Sequence, residues 1–339
     1  MQTKLLTDSE NDLRTAAELL AVGEVVAIPT ETVYGLAADA RNREAVAAIF
    51  RAKGRPGDNP LIVHIAHFEE LSLLAAEIPA TAKTLAEAFW PGPLTMIFKK
   101  QPSVPSEVTG GLDTVAVRMP SHPVARRLIE LSGCPLAAPS ANRSGSPSPT
   151  DARRVAEDMN GRVPAIVDGG ACQVGVESTV ISVAGERVRV LRPGAVTVEM
   201  LRETVGEVDV DEAVLAPLRE GAAVASPGMK YKHYAPNAKV VLVKGCAEAY
   251  RRYVNEHAAF GVTALCFDGE ENGLFVPHIT YGRRDDPEAQ ARQVFEALRQ
   301  LDEQHATVAY TACPSPQGVG LAVYNRLLRA AGFEVITVE

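Results

Sequence analysis

Lys53 and Arg55 stand two apart in KGRPGDNP (53 to 60), where Gly54 lets the backbone turn and Pro56 and Pro60 stiffen the rest of the loop. Cations preset in this way suit phosphate groups; the same pair after a helix is also what an ordinary solvated helix end carries, favoured by the helix dipole. PSAN (139 to 142) offers the Ser140 hydroxyl and the Asn142 amide, which can bond phosphate oxygens, ribose or a carboxylate, or can simply close a polar turn. Arg118 ends the apolar run VAVR just before MPSHP, where an arginine either reaches solvent along its stem or grips a carboxylate with its planar fork. GVESTV places Ser178 and Thr179 at a strand start, and LRPG places Arg192 at the end of the next strand, positions at which hydroxyls and turn arginines are also common for purely structural reasons.

Several other chemistries lack their residues. No GxxxxGK[ST] loop occurs, no GxGxxG comes after a strand, and no GxSxG elbow is present, so the common nucleotide folds and acyl transfer through serine have no support. Cysteines 134, 172, 246, 266 and 313 have neither paired spacing nor a nearby histidine cluster, so neither a disulfide nor zinc is expected, and no other metal site is expected either. His64 and His67 form HxxH without a third ligand nearby. A net charge of −8 argues against a surface that coats nucleic acid, while leaving room for a local basic pocket. The polar start MQTKLLTDSENDLR is unlike a secretory leader, and no run approaches the roughly 18 apolar residues of a membrane span, so a cytoplasmic protein without membrane association is expected.

These residues need elements to hold them. With 339 residues, 46% of them hydrophobic, the chain has material for two cores. SENDLRTAAELLAVG reads as a capped helix and EVVAIPT as a buried strand; a second helix over about 44–53 ends at Gly54. LIVHI, LTMIF, TVAVRM, AIVDG, STVISV and RVRVLR then supply strands between helical patterns near 80–89, 122–132 and 151–160. From Thr197 a short helix leads into a long loop-like connection, after which KVVLVKG, VTALCF and ATVAYTA alternate with helices near 247–258, 287–303 and 318–331. The expectation is α/β throughout, with boundaries at 10–196 for the first domain, 197–238 for the connection and 239–339 for the second. Four polar stretches at element ends (29–36, 53–60, 139–150 and 175–180) are where a cleft would be built.

PTETVYGL, KGRPGDNPLIVH, FWPGPLT, VAVRMPSHP, PLAAPSANRSGSPSPT, GVESTV and LRPG, in this order, closely resemble the YrdC-type threonylcarbamoyl-adenylate synthases over about residues 10–196. SPGMKYKHYAP and the unit after it resemble the longer, two-domain form of that family. The resemblance implies a YrdC-like twisted open α/β sheet around a deep basic cavity, and a smaller C-terminal Rossmann-like domain. It also implies condensation of L-threonine, bicarbonate and ATP into threonylcarbamoyl-AMP with release of pyrophosphate, feeding a downstream threonylcarbamoyl transferase that modifies tRNA, with direct tRNA contact a weaker implication. Mg2+ is expected with the phosphates. By position, Lys53, Arg55, Ser140 and Asn142 match the family's phosphate-facing catalytic set. Thr32, His64, Arg118 and Ser178 match residues that hold threonine, and Arg55, Asn59, Ala138, Ser140, Ser148, Arg192 and Tyr234 match contacts to ATP. Residues 226–236 would act as a lid. The competing expectation is a double-stranded RNA-binding module that uses the same basic cavity, which the acidic total opposes.

Overall fold

The computed structural model describes residues 2–57, 59–185, 187–217 and 234–339. The chain divides into two compact units, one comprising 2–144 and 148–214, the other 145–147, 215–217 and 234–339.

The first unit is built on eleven strands: β1 Lys4–Leu6, β2 Val26–Ile28, β3 Gly35–Asp39, β4 Ile62–His64, β5 Leu94–Lys99, β6 Thr114–Arg118, β7 Leu136–Ala137, β8 Ala165–Val167, β9 Thr179–Ser182, β10 Val188–Arg192 and β11 Val208–Val210. Their order across the sheet is β1-β8-β2-β3-β7-β4-β6-β5-β9-β10-β11. Parallel pairs such as β4 with β6 and β5 with β9 alternate with antiparallel ones such as β2 with β3 and β5 with β6. The central strands are short and buried on both faces, which is why the sequence shows them as apolar runs rather than as alternating patterns. Helices Glu10–Ala21 and Pro123–Ser132 bring Leu13, Leu20, Leu128 and Ile129 onto Val26, Ile28, Leu136 and Val167, forming one core cluster. A second cluster joins Ile62, Ile97, Ala116, Val180 and Leu191.

The expected helices and strands of this unit are present, and the sheet recruits more than periodicity indicated. Strands β1, β3, β7 and β11 are two to five residues long, too short for an alternating pattern to declare itself. From Thr197 the expected short helix is present as Val198–Val205, and the loop-like stretch after it carries β11, which pairs in parallel with β10, so that 197–214 group with the first unit. The expected lid at 226–236 falls largely outside the described residues.

The second unit carries β12 Lys239–Lys244, β13 Val262–Cys266, β14 His278–Thr280, β15 Val308–Ala312 and β16 Val335–Thr337 in the order β14-β13-β15-β12-β16, all parallel. Helices Ala247–Glu256, Pro287–Glu303 and Gly320–Ala330 make three of the four crossovers, and an irregular segment over 267–277 makes the one from β13 to β14. This is a small doubly wound α/β layer of the Rossmann kind.

Candidate active site

Helix Arg43–Lys53 buries Val46, Ile49, Phe50 and Lys53, a stripe at i, i+3, i+4 and i+7 whose last member is charged. Gly54 closes the helix in the left-handed conformation (φ 65°), a geometry glycine adopts without steric cost. Lys53 is therefore not a solvated helix-end cation: it is only 4% exposed. Its Nζ donates to the carbonyl oxygens of Ser140 and Asn142, the latter at 2.8 Å, and to Asn142 Oδ1 at 3.3 Å. Burial, and then the neighbouring Arg55 charge, push the Lys53 ammonium well down from its usual range, against which Asp158 and Glu177 act. Three acceptors converging on one nitrogen fit the three N–H donors of the protonated form, so we assign Lys53 as a cation held in place by carbonyl dipoles.

Ser140 and Asn142 sit just beyond β7, where Ser140 Oγ donates to Asn142 Oδ1 at 2.5 Å. The turn is tied to the loop between β2 and β3 by Ala141 N to the Tyr34 carbonyl at 2.8 Å and by a bridge between Gly35 and Ser140. Ala138 donates its amide to Ile62 O at 3.0 Å, and a Cβ at Gly35 would lie 3.2 Å from the Ala138 methyl, so glycine allows the two segments their close approach. Asn59 is completely buried, and neither its amide nitrogen nor its amide oxygen has a hydrogen-bond partner. A buried amide left in this state needs a ligand or water to complete it.

A second group forms where β4, β6 and β5 run side by side. In register, His64 lies opposite Arg118 at the carboxyl ends of the parallel pair β4 and β6, and Arg118 lies opposite Thr95 of β5. In open α/β sheets this is where ligands are received. Arg118, 3% exposed, donates from Nη1 to Thr32 Oγ1 at 2.9 Å and from Nε to the Gly92 carbonyl at 3.3 Å, and its Nη2 lies 2.7 Å from Glu31 Oε1. Burial tends to raise the Glu31 pKa, but the Arg118 charge and contact outweigh it and leave the carboxyl below its usual range. His64 is pushed down to about 3, first by burial and then by Arg118, so it is neutral at physiological pH, and its Nδ1 has no partner.

Ser178 joins this group. Its hydroxyl is 2.8 Å from Thr95 Oγ1 and accepts from Arg192 Nη2 at 3.2 Å, while Arg192 Nε donates to the Ser178 carbonyl at 3.1 Å. Next to Ser178 in the chain, Glu177 accepts the Ser148 hydroxyl. Thr32 with Arg118, and Ser178 with Thr95 and Arg192, are thus two hydrogen-bonded groups that neighbouring strands β4, β6, β5 and β9 bring side by side with His64, and Lys53, Ser140 and Asn142 form another beyond β7. Arg55 is half-buried beside Lys53. Tyr234 is not among them: it belongs to the second unit, where its ring packs 5.2 Å from that of Phe295 and beneath Arg326.

Glu31, Thr95 and Glu177 were not singled out from the sequence. Glu31 and Glu177 each sit inside a singled-out polar stretch, and an acid that folds into the interior must find a cation or a donor there, a signal that burial alone makes legible. Thr95 lies in an apolar strand and gives no sign of itself.

Residues 18–194 match the family described as telomere recombination, which groups the Sua5, YciO and YrdC proteins, and residues 196–332 match the threonylcarbamoyl-AMP synthase C-terminal domain. The chain is 47% identical over 327 residues to the threonylcarbamoyl-AMP synthase of Pyrococcus abyssi, covering 96% of both chains. It is 45% identical to that of Bacillus subtilis, covering 98% of this chain and 97% of the relative. The crystal structure of P. abyssi Sua5 complexed with L-threonine superposes with a TM-score of 0.91 at 44% identity, over 99% of this chain and 100% of the other.

Proposed function

The chain belongs to the Sua5/YciO/YrdC family, and from that premise we propose that it condenses L-threonine, bicarbonate and ATP into threonylcarbamoyl-AMP, releasing pyrophosphate. The observation that carries this is the end-to-end likeness to relatives that bear the name of that activity. In this proposal Arg118 receives the threonine carboxylate on N–H groups that its hydrogen bonds to Thr32 and Gly92 leave over, with Thr32, His64 and Ser178 around the rest of the amino acid. Lys53 and Arg55 lie along the triphosphate with Ser140 and Asn142, and Asn59, Ala138, Ser148 and Arg192 hold the nucleotide. Tyr234 and residues 226–236 are assigned to closing the loaded site.

The chemistry of such a site is chiefly the gathering of anions. The threonine amine and bicarbonate form a threonylcarbamate with loss of water, and a carbamate oxygen attacks the α-phosphorus of ATP; a P–O bond forms there as the bond to the leaving pyrophosphate breaks. Carbamate and triphosphate repel each other, and negative charge builds on the departing oxygens, so fixed cations in a water-poor setting lower the barrier. Lys53, whose three donors are taken up by protein oxygens, would act on that charge through the field of a fixed cation. Mg2+ would ride on the phosphates, and among the described residues no three acidic, histidine or cysteine groups gather to hold a metal. The adenylate is assigned to a downstream transferase acting on tRNA, in a cytoplasmic setting.

Incubation of the purified chain with ATP and bicarbonate, with either L-threonine or L-serine added, tests the proposal. Pyrophosphate should appear only when both bicarbonate and threonine are present. Release that ignores threonine, or cleavage of ATP to ADP, would contradict it.

A further inference from the structure

The buried pair of Arg118 and Glu31 is more than a neutral filling. Both side chains are almost fully enclosed, at 4% and 5% exposure. Yet the pair is incompletely satisfied: apart from the 2.7 Å approach of Arg118 Nη2, neither Glu31 oxygen has a hydrogen-bond partner, and Nη2 itself lacks a well-aligned one. The amides of Glu31 and Ser121 also favour the ionised carboxylate, without reaching hydrogen-bond geometry with it. His64 Nδ1, on the neighbouring strand end, is likewise without a partner. Unmet polar atoms, the two Glu31 oxygens foremost, therefore gather around one buried cation. Buried ion pairs normally persist only when further hydrogen bonds satisfy their remaining lone pairs, so this one is shaped for something that brings donors.

The contacts assigned so far leave one part of the amino acid unmet. An amino acid enters as a zwitterion, with a carboxylate and an ammonium group on one carbon. An arginine alone recognises the first and is indifferent to the second. We infer that Glu31 receives the α-ammonium group of the amino-acid substrate while Arg118 receives its carboxylate, so that the ion pair is a receptor for a zwitterion and selects against acids that lack the amine. This rests on the synthase proposal above and deepens it by one residue. The loop between β2 and β3 places Glu31 next to Thr32 in the chain, and Thr30 Oγ1 contacts Thr32 Oγ1 at 2.9 Å and donates to the Val33 carbonyl at 2.6 Å. The Val174 and Gly175 amides bond to the Glu31 and Thr32 carbonyls at 2.8 and 3.1 Å, so the carboxylate is carried on a pinned backbone. On entry, before its nitrogen is carboxylated, a zwitterion adds no net charge to the enclosed pair, whereas a 2-hydroxy acid would set a second anion beside Glu31 in a medium that screens little. Glu31 is in this sense a specificity-determining residue.

Equilibrium binding of L-threonine and of its deaminated counterpart, 2,3-dihydroxybutanoate of matching configuration, tests the inference in wild type, Glu31→Gln and Glu31→Asp, with ATP affinity measured on each. Wild type should prefer threonine by a factor of about 30 or more, and Glu31→Gln should reduce that preference to about threefold or less, by losing threonine and gaining the hydroxy acid, while ATP affinity stays unchanged. Glu31→Asp keeps the charge and so guards against a variant that fails to fold; by drawing the carboxylate back one methylene it should weaken threonine about tenfold and leave the hydroxy acid as in wild type. Parallel loss of both ligands, which a merely structural role gives, or an unchanged preference in either variant, overturns the inference while leaving the synthase proposal standing. Failure of wild type to bind threonine at all would overturn both.

Discussion

Lys53 spends its three donors on carbonyl and amide oxygens of the 140–142 turn, so a cation sits at the end of an otherwise apolar helix stripe. Replacing Lys53 by Ala removes the cation but leaves the acceptors turned inward, and turnover should fall on the order of 10²-fold or more. Lys53→Arg should not restore it, because a broad planar fork cannot meet three acceptors placed around a point. Steady-state pyrophosphate release measures both, and a Lys53→Ala rate within threefold of wild type would remove the phosphate role assigned to it. His64 makes a separate prediction. Its folded-state pKa of about 3 lies below the ordinary 6.5, so unfolded chains bind a proton that folded ones do not. Stability is therefore intact above about pH 6.5 and declines as the pH falls toward 3, by up to about 1.4 kcal/mol per pH unit from this residue. Thermal unfolding of wild type and His64→Gln across pH 4 to 7 should show a shallower acid slope in the variant; equal slopes would mean that His64 is not held neutral by its surroundings.

At the scale of elements, the site hangs on strand ends and the turns attached to them. The turn after β10 presses on the segment that carries Ser178: a Cβ at Gly194 would meet Thr179 N at 2.4 Å, Thr179 Oγ1 at 2.7 Å and Glu177 O at 2.8 Å, two of them backbone atoms with little room to give. Gly194→Ala should consequently cost about 1–3 kcal/mol of stability and displace Ser178 enough to raise the KM for threonine; a variant with unaltered Tm and KM would show that the turn yields freely. Legibility in the sequence divides along the same line. Helix Arg43–Lys53 and its glycine stop announce themselves through a 3.6-residue stripe and a Lys-Gly end. The short strands β3 and β7 do not, because two to five residues carry no periodicity, and they exist only through long-range pairing, β3 with β2 and β7, and β7 with β3 and β4. The motif residues can be named from the sequence, but which of them meet cannot. The pairing of Arg118 with Glu31 depends on where the loop between β2 and β3 meets the end of β6, a long-range placement that local sequence does not encode.

Over the whole molecule, two α/β units share one chain. The net charge of −8 is acidic on balance, while the interior of the first unit encloses the cations Lys53, Arg118, Arg154 and Arg192 together with the acids Glu31, Asp158 and Glu177. A chain of that net charge gives nucleic acid little to hold, whereas enclosed cations act on a small anion at short range with little screening. The most direct test of the synthase proposal is to supply 13C-bicarbonate with ATP and L-threonine and determine the mass of the nucleotide product. A threonine-bearing adenylate one mass unit heavier than its unlabelled counterpart, formed only when threonine is present and accompanied by an equal amount of pyrophosphate, is the predicted result. An adenylate without the labelled carbon, or ADP in its place, would contradict it.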